Sequence, residues 1–291
     1  MFHHLPKFLG ILALTAIACV SNPATSQDPP REKSAEPPEV VNAKPAPLPP
    51  SPYRLGEDYR YTWIMDGKEF ATTVLTLDTV KDANGRESSR LRGRLNYERA
   101  GRILTGGSTL HFEGTDLRKP ARFRSNLEIA VPNMGSQEEE LVVRFEGGKA
   151  ISSRKTGDQG LTRSEVEVRE PTFVLESNCF EHWAIVSPHF RSILEDGTLT
   201  FFIPTGSQQI TYKVRHERQE KVGAVVRDRW SIRHPSQVAW IWTDEEGRLV
   251  EYRQDTLQII LAATSSPKEK DPKSSGAAEG KKSAEKKSAE K

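Results

Sequence analysis

The segment YRYTWIMDGKEF, Tyr59–Phe70, decides how the rest of the chain is read. Tyr59, Tyr61, Trp63 and Met65 alternate with Arg60, Thr62 and Ile64, a period of two that puts the large side chains on one face of a strand. Asp66-Gly67 follows at once, and glycine supplies the positive φ that a tight hairpin turn requires. A link this short leaves only an antiparallel neighbour for the next strand.

The same period recurs outward in both directions. Leu91, Gly93, Leu95 and Tyr97 alternate with Arg90, Arg92, Arg94 and Asn96; Phe123, Leu127, Ile129 and Val131 stand against Arg122, Arg124, Asn126 and Glu128. Leu141, Val143 and Phe145 continue it, then Leu199, Phe201 and Ile203, Ile210, Tyr212 and Val214, Trp230 and Ile232, Val238, Trp240 and Trp242, and Leu257, Ile259 and Leu261. Turn signals stand between runs at Asn84-Gly85, Gly147-Gly148 and Glu246-Gly247. About twelve strands with one wet face twist and curl, and curling hides edges. The expected fold is mainly β, an antiparallel meander forming a curved sheet or half-open barrel with an apolar concave side.

One segment breaks the alternation. In ESNCFEHWAIVSPHF, Glu176–Phe190, and just beyond it, Cys179, Trp183, Val186, Phe190 and Ile193 mark one stripe of a helix over 178–194. Asn178 is placed to cap its start and Glu181 to reach back in a capping box, while Pro188 predicts a kink or end near Ser187.

The same segment holds the nearest approach to a chemical constellation. Cys179 and His182 are three residues apart, a spacing that brings thiol and imidazole together on a helix as a nucleophile with its base or as half a zinc site. The remaining zinc ligands are missing, and Cys179 belongs to the apolar stripe, so both read first as core residues and only weakly as catalytic candidates. Ser152-x-x-Lys155 matches the letters of a penicillin-binding motif without its companions. Asp244-Glu245-Glu246-Gly247 reads as a solvated turn, and Arg90, Arg92 and Arg94, like Arg122 and Arg124, as an exterior ridge with anion recognition as the alternative. Tyr59, Tyr61, Trp63, Trp230, Trp240 and Trp242 either pack where the first and last strands meet around the helix or line a ligand cavity on the concave side. The residues imply no cofactor and no metal.

Both ends differ from this core. MFHHLPKFLGILALTAIACV carries one basic residue, Lys7, then an apolar run too short for a permanent span, then small residues and Cys19. Residues 1–19 read as an export signal whose Thr15-Ala16-Ile17-Ala18-Cys19 resembles a bacterial lipobox, with Ala16 where Leu is usual; Ala16-Ile17-Ala18 also suits a non-lipid signal peptidase. The partner implied by lipidation of Cys19 is a membrane, and the location the cell envelope, with a soluble periplasmic or secreted protein as the alternative. Residues 20–52 are dense in proline and charge and read as a disordered spacer, 53–264 as a single β-rich domain, and 265–291 as a disordered tail rich in Lys, Glu, Ala and Ser. The 42 basic and 40 acidic residues nearly balance, so no global field points to nucleic acid.

GEDYRYTWIMDGKEF, SNCFEHWAI, the FFIP run at Phe201–Pro204 and the closing VAWIWTDEEGRLVEY together resemble exported bacterial β-rich proteins of unknown function, similar in outline to the half-barrel sheets of lipoprotein-localisation carriers. That resemblance implies the fold and carries over no catalytic residue. Three functions remain: a lipid-anchored envelope protein binding an apolar or amphipathic ligand in the concave side, a structural protein docking on an envelope partner through a sheet edge or the tail, and, last, an enzyme using Cys179 and His182.

Overall fold

The computed structural model describes residues 51–265 except 82, 83, 133, 134, 170, 171, 194, 195 and 236; Cys19, the spacer and nearly all of the tail lie outside the described residues. The strands are β1 (Asp58–Met65), β2 (Lys68–Lys81), β3 (Glu87–Arg99), β4 (Arg102–Phe112), β5 (Pro120–Val131), β6 (Gly135–Glu146), β7 (Lys149–Thr156), β8 (Thr162–Glu167), β9 (Phe173–Val174), β10 (Asp196–Ile203), β11 (Gln208–Val222), β12 (Val225–His234), β13 (Gln237–Thr243), β14 (Leu249–Gln254) and β15 (Leu257–Ser265). Among the described residues a single α-helix, α1 (Glu181–Val186), runs directly into a 3-10 turn, Ser187–Ser192.

All fifteen strands belong to one sheet, ordered β8-β7-β6-β5-β4-β3-β2-β1-β15-β14-β13-β12-β11-β10-β9. Two meanders meet at its centre, where β1 pairs with β15 and Trp63 lies opposite Ile259. The first and last strands therefore join the two meanders by their own ladder. Every described pairing is antiparallel except the short β9–β10 contact. The hairpins follow the turn signals: Asp66 (φ 52°) and Gly67 (φ 74°) both take the left-handed geometry that a two-residue link between β1 and β2 demands.

The sheet is a half-open barrel. β8 and β9 are its two ends and share no ladder, yet side chains bridge the seam: Ser164 on β8 and Ser207 share a 2.6 Å hydrogen bond, and Phe145 on β6 meets Phe202 on β10 at 5.5 Å.

α1 plugs the concave side. Glu181, His182, Trp183, Ala184, Ile185 and Val186 are all buried, so the helix is enclosed all round rather than resting one stripe on the sheet. This corrects the expected helix over 178–194. Phe180, not Asn178, precedes the first turn, no side chain caps it, and Glu181 points into the sheet instead of back along the helix. The α-helix does stop at Ser187, as Pro188 predicts, and the chain tightens into the 3-10 turn with Pro188 at its start. The first helical amides turn instead to local carbonyls, His182 N–H to Cys179 at 3.1 Å and Trp183 N–H to Phe180 at 3.0 Å.

Candidate functional site

Two environments lie on either side of α1. Toward β3, β4 and β5, the small residues Gly93 and Ser108 stand opposite each other, and Ser125 lies opposite Ser108. They leave a hollow that the Glu181 side chain fills: Ser108 Oγ donates to Glu181 Oε1, and any Cβ at Gly93 would overlap the carboxyl group. Gly93 is thus required by close approach, not by its backbone angle.

Cys179 and His182 share this enclosed side. Burial pushes the Cys179 thiol well above its ordinary range, and the neighbouring Glu181 and Glu176 push it further in the same direction. Burial also raises Glu181 to about 7, and lowers His182 to about 3. At neutral pH the thiol keeps its proton and the imidazole is neutral and weakly basic, so this pair lacks the thiolate that nucleophilic chemistry needs. The donor atoms of Cys179, Glu181 and His182 lie within 4.8 Å of one another, which would suit part of a metal site. The imidazole is already committed, however. Its Nδ1 accepts the Glu176 amide at 3.2 Å, a bond that leaves the proton of a neutral ring on Nε2, so neither nitrogen offers a lone pair to a metal. The Nε2–H has no hydrogen-bond partner among the described residues, and the ring lies edge-on to Phe123 at 5.2 Å.

The other side of the helix is different. Between α1 and the concave face of β1 and β11–β15 lies a cavity of about 210 Å³. Trp63, Phe180, Trp183, Tyr212 and Tyr252 form its aromatic wall, with Ile232, Ala239 and Ile259 beneath. Glu176, Ser177, Thr205, Gln208, Gln237 and Gln254 supply its polar groups. An apolar cavity of about 150 Å³ accepts benzene, so this space takes a ring or short chain somewhat larger. Glu176 is pinned: one carboxylate oxygen accepts the Ser177 amide and hydroxyl, each at 3.0 Å, and the other accepts the Thr205 amide at 3.0 Å. A wider depression of about 1470 Å³ over β3–β7 is lined mainly by polar and charged residues and lacks an aromatic wall.

The six aromatic candidates divide. Tyr59 and Tyr61 are fully buried, their hydroxyls bonded to Glu57 and to the Leu249 carbonyl. Trp230 packs on Phe190 at 5.6 Å and donates to Thr243 Oγ1 at 3.2 Å. Trp63 alone of the six lines the cavity, its Nε1 held by Thr73 at 3.0 Å. Trp240 and Trp242 stand on the opposite face, correcting their expected place. Register puts Trp230 opposite Ile241 and Ile232 opposite Ala239, so Ala239 and Ile241 point inward. On the outside the Arg229 guanidinium lies over both indoles at 5.6 and 5.3 Å, Arg253 lies over Trp242 at 5.1 Å, and Trp242 donates to Glu220 at 2.9 Å. Flat arginine stems and indole faces cover one another there without entering the core.

The remaining motifs are structural. Ser152 is buried on β7, and Lys155, three strand positions away, points to the other face, so no Ser-Lys pair forms. Asp244 accepts the Glu246 and Arg248 amides within its turn. Arg90 and Arg92 both pair with Asp78, Arg94 lies 4.0 Å from Asp58, and Arg124 pairs with Glu140, so four of the five ridge arginines have an acidic neighbour.

No protein-family model matches the chain, and no curated protein matches it. Among solved structures, a β-barrel-like protein of the domain of unknown function DUF1849 from Brucella abortus is 12% identical, with 73% of this chain and 98% of that one covered at a TM-score of 0.46. A DUF1089 family protein from Pseudomonas aeruginosa is also 12% identical, with 62% and 89% covered at a TM-score of 0.32. The site is therefore read from its own residues.

The sequence does not single out Glu176, Phe180, Tyr212 or Tyr252 as site residues. Tyr212 was visible as an inward strand residue, but nothing local distinguishes a core tyrosine from a cavity wall. Phe180, between Cys179 and Glu181, falls off the single apolar stripe and reads as a core residue only in a helix buried all round.

Proposed function

We propose that this domain is a binding module that takes a small apolar or amphipathic molecule between α1 and the sheet, and that the protein works in the cell envelope, held to a membrane through lipid on Cys19. The cavity of about 210 Å³ carries the binding part, because it combines an aromatic wall with polar groups from Glu176, Ser177 and Gln254. The anchoring part rests on the apolar leader and the lipobox-like Cys19. Burial of the Cys179 thiol counts against the enzyme reading.

Ala239→Leu tests the binding part. Ala239 is 7% exposed and lines the cavity, so a leucine there fills space that a ligand would need. Calorimetry with 1-naphthol, a compact ring with one hydroxyl, should show saturable binding to the natural sequence and none to the variant, at similar melting temperatures. No saturable binding to the natural sequence, or equal binding to both, would overturn the assignment.

A further inference from the structure

The cavity walls also state what charge they accept. We infer that the cavity selects a cationic ligand, an ammonium carried on an apolar body, over neutral and anionic molecules of the same shape. This rests on the reading of the cavity as a ligand site and adds the class of ligand.

Three features point the same way. The aromatic wall is continuous: Trp63 meets Phe180 at 5.8 Å, Phe180 meets Tyr252 at 5.8 Å, Tyr252 meets Trp183 at 6.0 Å, and Trp183 meets Tyr212 at 6.4 Å. Aromatic faces carry negative quadrupole density and attract a desolvated ammonium, an effect worth a factor of roughly ten or more inside a pocket. Second, among the described residues the one charged group in the lining is the Glu176 carboxylate, and no described Lys, Arg or His lines the cavity. An anion entering would meet a like charge and no counter-charge, whereas a cation gains a partner that offsets its desolvation. Third, Glu176 is held by three donors and is 5% exposed, so its charge is fixed in place rather than free to swing into solvent.

The polar groups are compatible with this. Gln254 already accepts the Tyr252 hydroxyl at 2.6 Å through Oε1. His234 lies outside the lining and contacts the Tyr212 ring at 5.5 Å.

Three compounds of one shape separate the inference from its foundation: phenyltrimethylammonium, its uncharged isostere tert-butylbenzene, and the anion benzenesulfonate. Each is titrated into the protein at pH 8, with calorimetry and the quenching of Trp63 and Trp183 as readouts. The expected order is cation, neutral, anion, with the cation bound at least about tenfold more tightly than the isostere. Glu176→Gln should shrink that ratio several-fold while tert-butylbenzene affinity holds. Trp183→Leu, which keeps an apolar wall and loses a ring face, should do the same and serves if the Glu176 variant does not fold. Equal binding of cation and isostere would sink the inference and leave the cavity assignment standing. Preference for the anion would do so as well, and binding of none of the three would take both down together.

Discussion

Replacement of Glu181 by glutamine isolates the free energy of one buried carboxyl group. In the folded protein burial raises Glu181 from 4.5 to about 7, with Ser108, Cys179 and the backbone pulling weakly the other way. The folded state therefore holds this proton more tightly than the unfolded chain does. Its stabilising contribution is complete below pH 4.5 and is lost as pH rises toward 7, a change of about 3 kcal/mol at 1.36 kcal/mol per pK unit. The histidines act in the opposite sense. Burial lowers His182 to about 3 and His189 to about 4, the latter helped by Arg118, so both add stability above pH 6.5 that is lost as pH falls toward those values. The raw pH profile of the protein mixes these contributions, and only a difference profile resolves Glu181. Glutamine keeps the shape and can still accept from Ser108 Oγ, but does not titrate. Urea unfolding of both proteins, followed by tryptophan fluorescence from pH 4.5 to pH 8, should give a stability difference that moves by about 3 kcal/mol in favour of Glu181→Gln as pH rises, then levels off. A flat difference, or one moving the other way, would show that the carboxylate is ionised and satisfied inside the fold and would refute this account of the hollow.

Three further outcomes are expected, two from this geometry and one from the leader sequence. Gly93→Ala should destabilise by about 1–3 kcal/mol through overlap with the Glu181 carboxyl, and Glu181→Ala should reverse the sign of its effect; additivity in that double-mutant cycle, measured by denaturation, would place the two groups out of contact. The Cys179 thiol should react with a disulfide reagent only as fast as the protein opens, so labelling at the rate of a free thiol in native buffer would contradict its burial. Cys19→Ser should move the protein from the membrane fraction to the soluble envelope fraction, and an unchanged distribution on fractionation would remove lipid on Cys19 as the anchor.

Much of the fold is legible because a period of two leaves few options when one parity is apolar and the other charged. Leu91 and Leu95 against Arg90, Arg92 and Arg94 fix both the strand and its inward face. β13 lacks that contrast. In QVAWIWT both parities are apolar, and the larger side chains, Trp240 and Trp242, are the ones facing outward, because the curved interior has room for Ala239 and Ile241 while Arg229 and Arg253 cover the indoles. β4 is obscured for another reason: Gly106, Gly107 and Ser108 interrupt its apolar alternation, and it is Ser108 and its neighbour Gly93 that make the hollow for Glu181. Small inward residues look like a weak strand until the side chain that occupies their space is known.

The sequence by itself determined the strand rhythm, the hairpin turns, the antiparallel meander and the end of the helix at Pro188, because each follows from bonds and sterics among residues close in the chain. Only the tertiary structure decided that α1 is enclosed on every side, that Cys179, Glu181 and His182 share a hollow, and that Glu176, Phe180, Trp183, Tyr212 and Tyr252 surround a common cavity with Trp63. Those residues come from β1, β11, β14 and the helical segment, and nothing local relates them. Their meeting is set by the β1–β15 pairing that joins the two meanders and by the curvature that folds the sheet around its helix.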